Sequence, residues 1–169
     1  MRPNLLFYFT DQQRWDTLGC MGQPLPITPC LDGLAADGVC FEQAYSPQPV
    51  CGPCRAMFQT GQWAAQLGCF RNNLALPEDV KTLAASFEEA GYETAYVGKW
   101  HLASSGEPDK PPAADYTVTA IPPERRGGYR GFWRAADVLE FTSHGYDGYV
   151  FDENMQKRPF KGYRADCIT

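Results

Sequence analysis

Three short clusters hold the reactive side chains of this sequence. Asp11-Gln12 sets a carboxylate beside an amide. Cys51-Gly52-Pro53-Cys54-Arg55 brings two thiols and a guanidinium. Lys99-Trp100-His101 brings an ammonium and an imidazole. A cysteine, or an oxygen derived from it, can serve as a nucleophile. Lysine, arginine and histidine can hold an anion or stabilise charge that develops on it. Together these types describe a site that processes a small anion. Cys51 and Cys54 are also a Cys-x-x-Cys pair, which suits a redox couple or half of a zinc site. No second cysteine pair and no Cys-x-x-His cluster accompanies it.

The elements around these clusters follow from the pattern. Asn4–Phe9 is a continuous apolar run that predicts a buried strand, so Asp11 follows a strand end. Thr28-Pro29, then Leu31, Leu34 and Ala35, with Gly38 behind, predicts a short helix capped by Thr28. Val39–Tyr45 predicts a second strand, Ser46–Pro53 a proline-rich loop that delivers Cys51, and Arg55–Thr60 a helix closed by Gly61. Asp79–Ala90 predicts a helix with Val80, Leu83, Ala84 and Phe87 on one face and Gly91 as its stop. Thr94–Val97 predicts a third strand, with Lys99 and His101 just beyond it. Strands alternating with helices predict an α/β layer with parallel pairing, where sites gather at the carboxyl ends of strands. Residues 104–131 are rich in Pro, Gly and Arg and read as a loop-rich insertion with a short strand at Tyr116–Ile121.

The chain has 169 residues, 44% hydrophobic and 21% charged, which suffices for one domain with a real core. Its net charge of −5 argues against nucleic acid as a partner, because a phosphate-backbone binder presents a basic face. No apolar run approaches the roughly 20 residues that a membrane-spanning helix needs. The first apolar stretch runs into Thr10-Asp11 without a small-residue cleavage site, so the chain as given reads as cytoplasmic, with no signal peptide and no membrane partner. Seven scattered cysteines predict a mostly reduced chain without a disulfide framework.

Cys51-Gly52-Pro53-Cys54-Arg55, with Thr60-Gly61 downstream, resembles the Cys-x-Pro-x-Arg signature of the type I, formylglycine-dependent sulfatases. Gly91-Tyr92-Glu93-Thr94-Ala95-Tyr96-Val97-Gly98-Lys99-Trp100-His101 resembles the family's second signature. Arg2-Pro3-Asn4 and Thr28-Pro29-Cys30-Leu31-Asp32 are similar to further family segments, and the likeness covers about residues 2–102. The resemblance implies a partial alkaline-phosphatase-like α/β sandwich, with a mostly parallel central sheet flanked by helices, and hydrolysis of sulfuric esters. It implies that a formylglycine-generating enzyme oxidises Cys51. One hydroxyl of the hydrated aldehyde then attacks sulfur, and loss of a proton from the other expels sulfate, so no second external attack is needed. Arg55 is implied to orient the hydrate, and Lys99 and His101 to bind sulfate, with His101 bonded to a formylglycine hydroxyl. The first amides of the helix after Cys51 are implied to face the anion. A hard divalent cation, calcium or alternatively magnesium, is implied at Asp11, Gln12 and the oxidised Cys51. His144, in Thr142-Ser143-His144-Gly145-Tyr146-Asp147-Gly148, is the candidate for the leaving-group side of a sulfated saccharide or small sulfate ester. Relatives are often exported.

The sequence departs from the family pattern in three ways. Gln12 stands where many sulfatases have a second acidic residue, and Cys54 where Ser or Ala is common. No late Asp-Asn or Asp-His pair and no further lysine match the family's downstream site. The chain is therefore expected to be the N-terminal part of a sulfatase catalytic domain, with core 2–103, insertion 104–131 and an incomplete portion 132–169. By itself it is expected to be inactive or nearly so. Competing readings are a phosphonate monoester or phosphodiester hydrolase of the same fold, a catalytically incomplete fragment, and a redox module built on Cys51 and Cys54. Arg71-Asn72-Asn73 could line a substrate cleft, and Arg125-Arg126 with Arg130 could meet an anionic saccharide. The bland reading of both groups is loop or surface polarity.

Overall fold

Pro29 starts the first helix, where its fixed φ suits the helix and its missing N–H costs nothing. In the computed structural model, which describes residues 2–107 and 110–168, this helix is α1, Pro29–Asp37. Gly38 closes it by donating its N–H to Leu34 O at 2.9 Å. The expected cap residue Thr28 makes no side-chain cap bond. Its hydroxyl is engaged elsewhere, accepting from Gly19 N at 2.9 Å and donating to Asp32 Oδ1 at 3.1 Å. Short 3-10 turns at Trp15–Thr17 and Gly19–Met21 precede the helix. All of this belongs to the first of two compact units, 1–46 and 47–169, and each is described by itself.

The two strands expected in the first unit, 4–9 and 39–45, do not form strands among the described residues. Leu6, Val39, Phe41 and Tyr45 are exposed rather than packed in a sheet. An extended apolar segment becomes a strand only through a ladder with a neighbour, and the pattern of side chains alone cannot supply one.

The second unit begins with α2, Cys51–Thr60, four residues earlier than the sequence pattern placed its start. Pro53 lies in its first turn, where the backbone has no intrahelical acceptor for an N–H, so the Pro-rich stretch is compatible with helix. Gly61, at φ 67°, ends it and donates to Met57 O. Helix α3 is shorter than expected, Leu83–Glu89, because Thr82 takes the cap position and accepts from Ala85 N at 3.1 Å. The strand expected at 94–97 is β1, Tyr96–Lys99, shifted so that Lys99 is its last residue. Inside the insertion, β2 (Ser105–Glu107) and β3 (Lys110–Ala114) form a two-stranded antiparallel sheet, whereas 116–121 is not a strand.

Strand β4, Trp133–Ala136, pairs parallel with β1, in register from Tyr96 opposite Trp133 to Lys99 opposite Ala136. The short helix α4 (Leu139–Thr142) comes next, then β5 (Asp147–Asp152), β6 (Lys157–Lys161) and α5 (Arg164–Ile168). The main sheet has the order β1-β4-β5-β6, with one parallel and two antiparallel pairings. The α/β class thus holds with a mixed open sheet, not a mostly parallel one. The parallel partners were expected partly from 4–9 and 39–45, and the hairpin β5–β6 pairs antiparallel by its short connection.

The core of this unit centres on Trp100 and Trp133, both fully buried, with Tyr96 stacked on Trp133 at 5.2 Å between centroids. Gly127, at φ +58°, lies so close to Trp100 that a Cβ there would stand 2.8 Å from the indole. No helix among the described residues is long and apolar enough to cross a membrane.

Candidate active site

Helix α2 and the carboxyl end of β1 together position the candidate residues of the second unit. Cys51 is the first residue of α2 and is half-buried with a free thiol. The next residue, Gly52, donates its N–H to Asn72 Oδ1 at 2.8 Å. A Cβ at Gly52 would stand 3.2 Å from that oxygen and 3.6 Å from the carbonyl oxygen of His101. Glycine therefore lets the start of α2 close against both the 71–73 segment and the residue two places beyond β1.

One turn along α2, Arg55 is 8% exposed and donates from Nη1 to the backbone carbonyl of Lys99 at 2.6 Å. The Tyr96 hydroxyl donates to the same carbonyl at 2.6 Å. Burial pushes the Tyr96 hydroxyl up to about 12, although the nearby guanidinium pulls the other way. It remains a donor at ordinary pH. The described bond of Arg55 thus ties α2 to the end of β1.

Lys99 is 8% exposed, and its Nζ lies 3.0 Å from Glu140 Oε1 on α4. His101 is 9% exposed and adopts φ 58°, a left-handed conformation uncommon for a residue with a Cβ. Its Nδ1 is buried and has no hydrogen-bond partner among the described residues. Burial lowers the imidazole pKa below its ordinary 6.5. The Lys99 ammonium and Arg55 guanidinium act in the same direction, against Asp137 and Glu140. His101 is therefore a neutral ring at neutral pH, with a buried nitrogen open to a ligand.

The backbone after His101 is held by a residue that the sequence pattern does not single out. Asp137, fully buried at the end of β4, accepts from Leu102 N and Ala103 N on Oδ1 and from Ser104 N on Oδ2, each at 3.0 Å. Ser104 Oγ donates to the same Oδ2 at 2.5 Å. Four donors on one carboxylate leave it well satisfied despite its burial. Glu140 escapes the sequence pattern as well. The signal for both is only the parallel pairing of β1 with β4, which aligns the two strand ends, and that pairing is not readable from either strand alone.

Three further candidates are exposed. Asp11 and Gln12 lie in the first unit and are exposed there. His144 is exposed in the turn between α4 and β5, with its Nδ1 3.5 Å from Asp147 Oδ1 and its backbone N–H bonded to Asp147 O. Arg71 donates to the carbonyls of Asn72 and Gly106, so it ties its own loop to β2.

The chain as a whole has counterparts among known proteins. The family model described as Sulfatase matches residues 3–162. An ulvan-active sulfatase of Formosa agariphila is 39% identical over 153 residues, 90% of this chain and 27% of that protein. An N-acetylglucosamine-6-O-sulfatase of Bacteroides thetaiotaomicron is 36% identical over 170 residues, 99% of this chain and 26% of that protein. Among solved structures, a protein in complex with its substrate D-glucosamine-2-N,6-O-disulfate superposes with a TM-score of 0.77 at 27% identity, over 99% of this chain and 29% of that one. The chain thus spans about a quarter of the length of the curated relatives it matches. Motif order, fold and likeness agree: this chain belongs to the sulfatase family.

Proposed function

We propose that this chain carries the nucleophile and part of the anion-binding wall of a sulfuric-ester hydrolase that acts on a sulfated carbohydrate. The observation that carries this reading is the bond from Arg55 to the Lys99 carbonyl, which brings the two signature segments into one buried cluster. The relatives named for activity on ulvan or on N-acetylglucosamine 6-sulfate, and the structure holding a disulfated glucosamine, favour a saccharide substrate.

In this reading Cys51 is oxidised to formylglycine by a formylglycine-generating enzyme, and the aldehyde hydrate supplies one oxygen to attack sulfur and a second to expel sulfate. The chain's own residues do the rest. The first amides of α2 offer N–H donors to an anion at the position of Cys51. Lys99, buried at the end of β1, neutralises sulfate oxygens when the anion takes it from Glu140. His101, neutral and with a buried nitrogen that has no partner among the described residues, is suited to exchange a proton with the hydrate or to fix its orientation. Arg55 holds the helix to the strand and adds positive potential beneath both. His144 is assigned to the leaving-group side.

A hard divalent cation would take oxygen from Asp11 and Gln12, with calcium the first candidate and magnesium the second. These two do not make a site on their own. Such an ion takes six or more oxygens, and no group of three His, Cys, Asp or Glu side chains able to hold a metal converges among the described residues. The roles given to Cys51, Arg55, Lys99 and His101 do not run through it.

The test is to co-express the longest polypeptide that the gene encodes with a formylglycine-generating enzyme. The Cys51 peptide is then mapped by mass spectrometry, and release of sulfate from N-acetylglucosamine 6-sulfate is compared with cleavage of a phosphodiester. Loss of the Cys51 sulfur and release of sulfate are expected. Faster phosphodiester cleavage would move the reading to the phosphonate or phosphodiester hydrolases. Retention of the sulfur with no turnover would reject it.

A further inference from the structure

The first unit holds a second pair of reactive groups that the sulfatase reading leaves unused. Cys20 sits in the 3-10 turn Gly19–Met21, and its backbone N–H donates to Asp32 Oδ1 at 2.8 Å. Cys40 lies just past the end of α1. Both thiols are free and exposed, and both line a cleft of about 550 Å³ with Asp32, Glu42 and the apolar rings and stems of Pro24 and Leu25. The Cys40 and Asp32 side chains lie near enough to act electrostatically on the Cys20 thiol. Two carboxylates give the cleft a negative lining, which favours small cations over anions.

We propose that Cys20 and Cys40 form a dithiol modification site, closed to an intramolecular disulfide by a small cationic disulfide that enters this acidic cleft. The thiols line one cleft, and neither lies within an α-helix or a strand, so a local shift brings them to bonding distance. In the first step one thiolate attacks a sulfur of the reagent, forms a mixed disulfide and releases one reagent thiolate. The second cysteine thiolate then attacks the bonded cysteine sulfur and releases the other reagent thiolate. The two protons lost by the cysteines end on the two released thiolates. The dithiol is oxidised by two electrons and the reagent disulfide is reduced by the same two.

The surroundings also set the rate. Local desolvation against the cleft wall and the neighbouring Cys40 and Asp32 side chains hold the Cys20 thiol above the ordinary cysteine range. Only the thiolate attacks, so closure speeds up as pH rises.

Cystamine is a suitable probe. The purified chain is incubated with it, alkylated and mapped by tandem mass spectrometry. Loss of two hydrogens and a Cys20–Cys40 cross-link are expected. Cys30→Ser, at another exposed thiol of this unit, keeps the cross-link. Cys20→Ser and Cys40→Ser abolish it and leave a cysteamine adduct on the remaining partner. Asp32→Asn retains an acceptor oxygen, removes one of the two charges that draw the cation in, and lowers the rate of closure by cystamine relative to that by the neutral bis(2-hydroxyethyl) disulfide. Stable cysteamine adducts on both Cys20 and Cys40 of the unaltered chain, a dominant link through Cys30, or an unchanged ratio of the two rates in Asp32→Asn would each overturn the proposal.

Discussion

Arg55 on α2 and Tyr96 at the start of β1 both donate to one acceptor, the backbone carbonyl of Lys99, each at 2.6 Å. A carbonyl oxygen has two lone pairs, so the two bonds are compatible and either alone keeps the buried oxygen satisfied. Tyr96→Phe and Arg55→Met are each expected to lower stability in urea unfolding. The double variant removes both described donors to the carbonyl. It should cost about 1–3 kcal/mol beyond the sum of the singles. Additive losses would show that the shared acceptor is not what couples α2 to β1.

Asp137 gathers three amides and one hydroxyl behind His101. Asp137→Ala leaves all four donors buried without this acceptor and is expected to cost roughly 3–5 kcal/mol, among the larger single-residue losses. Asp137→Asn should cost less, because its Oδ1 still serves Leu102 and Ala103. Thermal unfolding of the two variants tests the order. Equal losses would contradict it.

Glu140 is half-exposed and holds the Lys99 ammonium that the proposed function gives to sulfate. Glu140→Gln releases that charge. Exposed ion pairs contribute about 0.2–1 kcal/mol, so sulfate should bind up to about fivefold more tightly to the variant by calorimetry. Weaker binding would mean that Glu140 positions Lys99 for the anion and does not compete with it.

The lowered pKa of His101 makes stability depend on pH in a defined direction. In the unfolded chain the ring takes a proton near its ordinary 6.5, and in the folded chain only at lower pH. The unfolded state therefore binds more protons within this interval. The stability contribution is complete above the unfolded value, declines as pH falls below it, and levels off below the folded value. The difference in unfolding free energy between the unaltered chain and His101→Asn should shrink as the solution is acidified from neutrality. A difference independent of pH would leave the ring with no titration linked to folding.

The motif segments, the short helix from Pro29 and the α/β class were all legible in the sequence, because each depends on local chemistry. Pro29 and Gly38 bound α1 through backbone preferences that no tertiary contact overrides. The start of α2 at Cys51 was hidden by Pro53, which looks like a loop residue but is harmless in a first turn. Segments 4–9 and 39–45 have strand-like composition, and composition alone forms no ladder. Asp137 and Glu140 sit in 132–169, the portion that the sequence reading assigns no element or role beyond His144. Their roles arise only when β4 lies beside β1, a contact between residues more than 30 positions apart.

The alignment of β1 with β4 acts as a phase lock on the residues beyond both strands. Trp100 N donates to Ala136 O, so the next residue on each side is His101 and Asp137. Sliding β4 by a single position would send the Asp137 carboxylate to the opposite side of the sheet and strip the 102–104 amides of their acceptor. An insertion or deletion of one residue within 133–136 should therefore disturb the His101 imidazole just beyond the neighbouring strand.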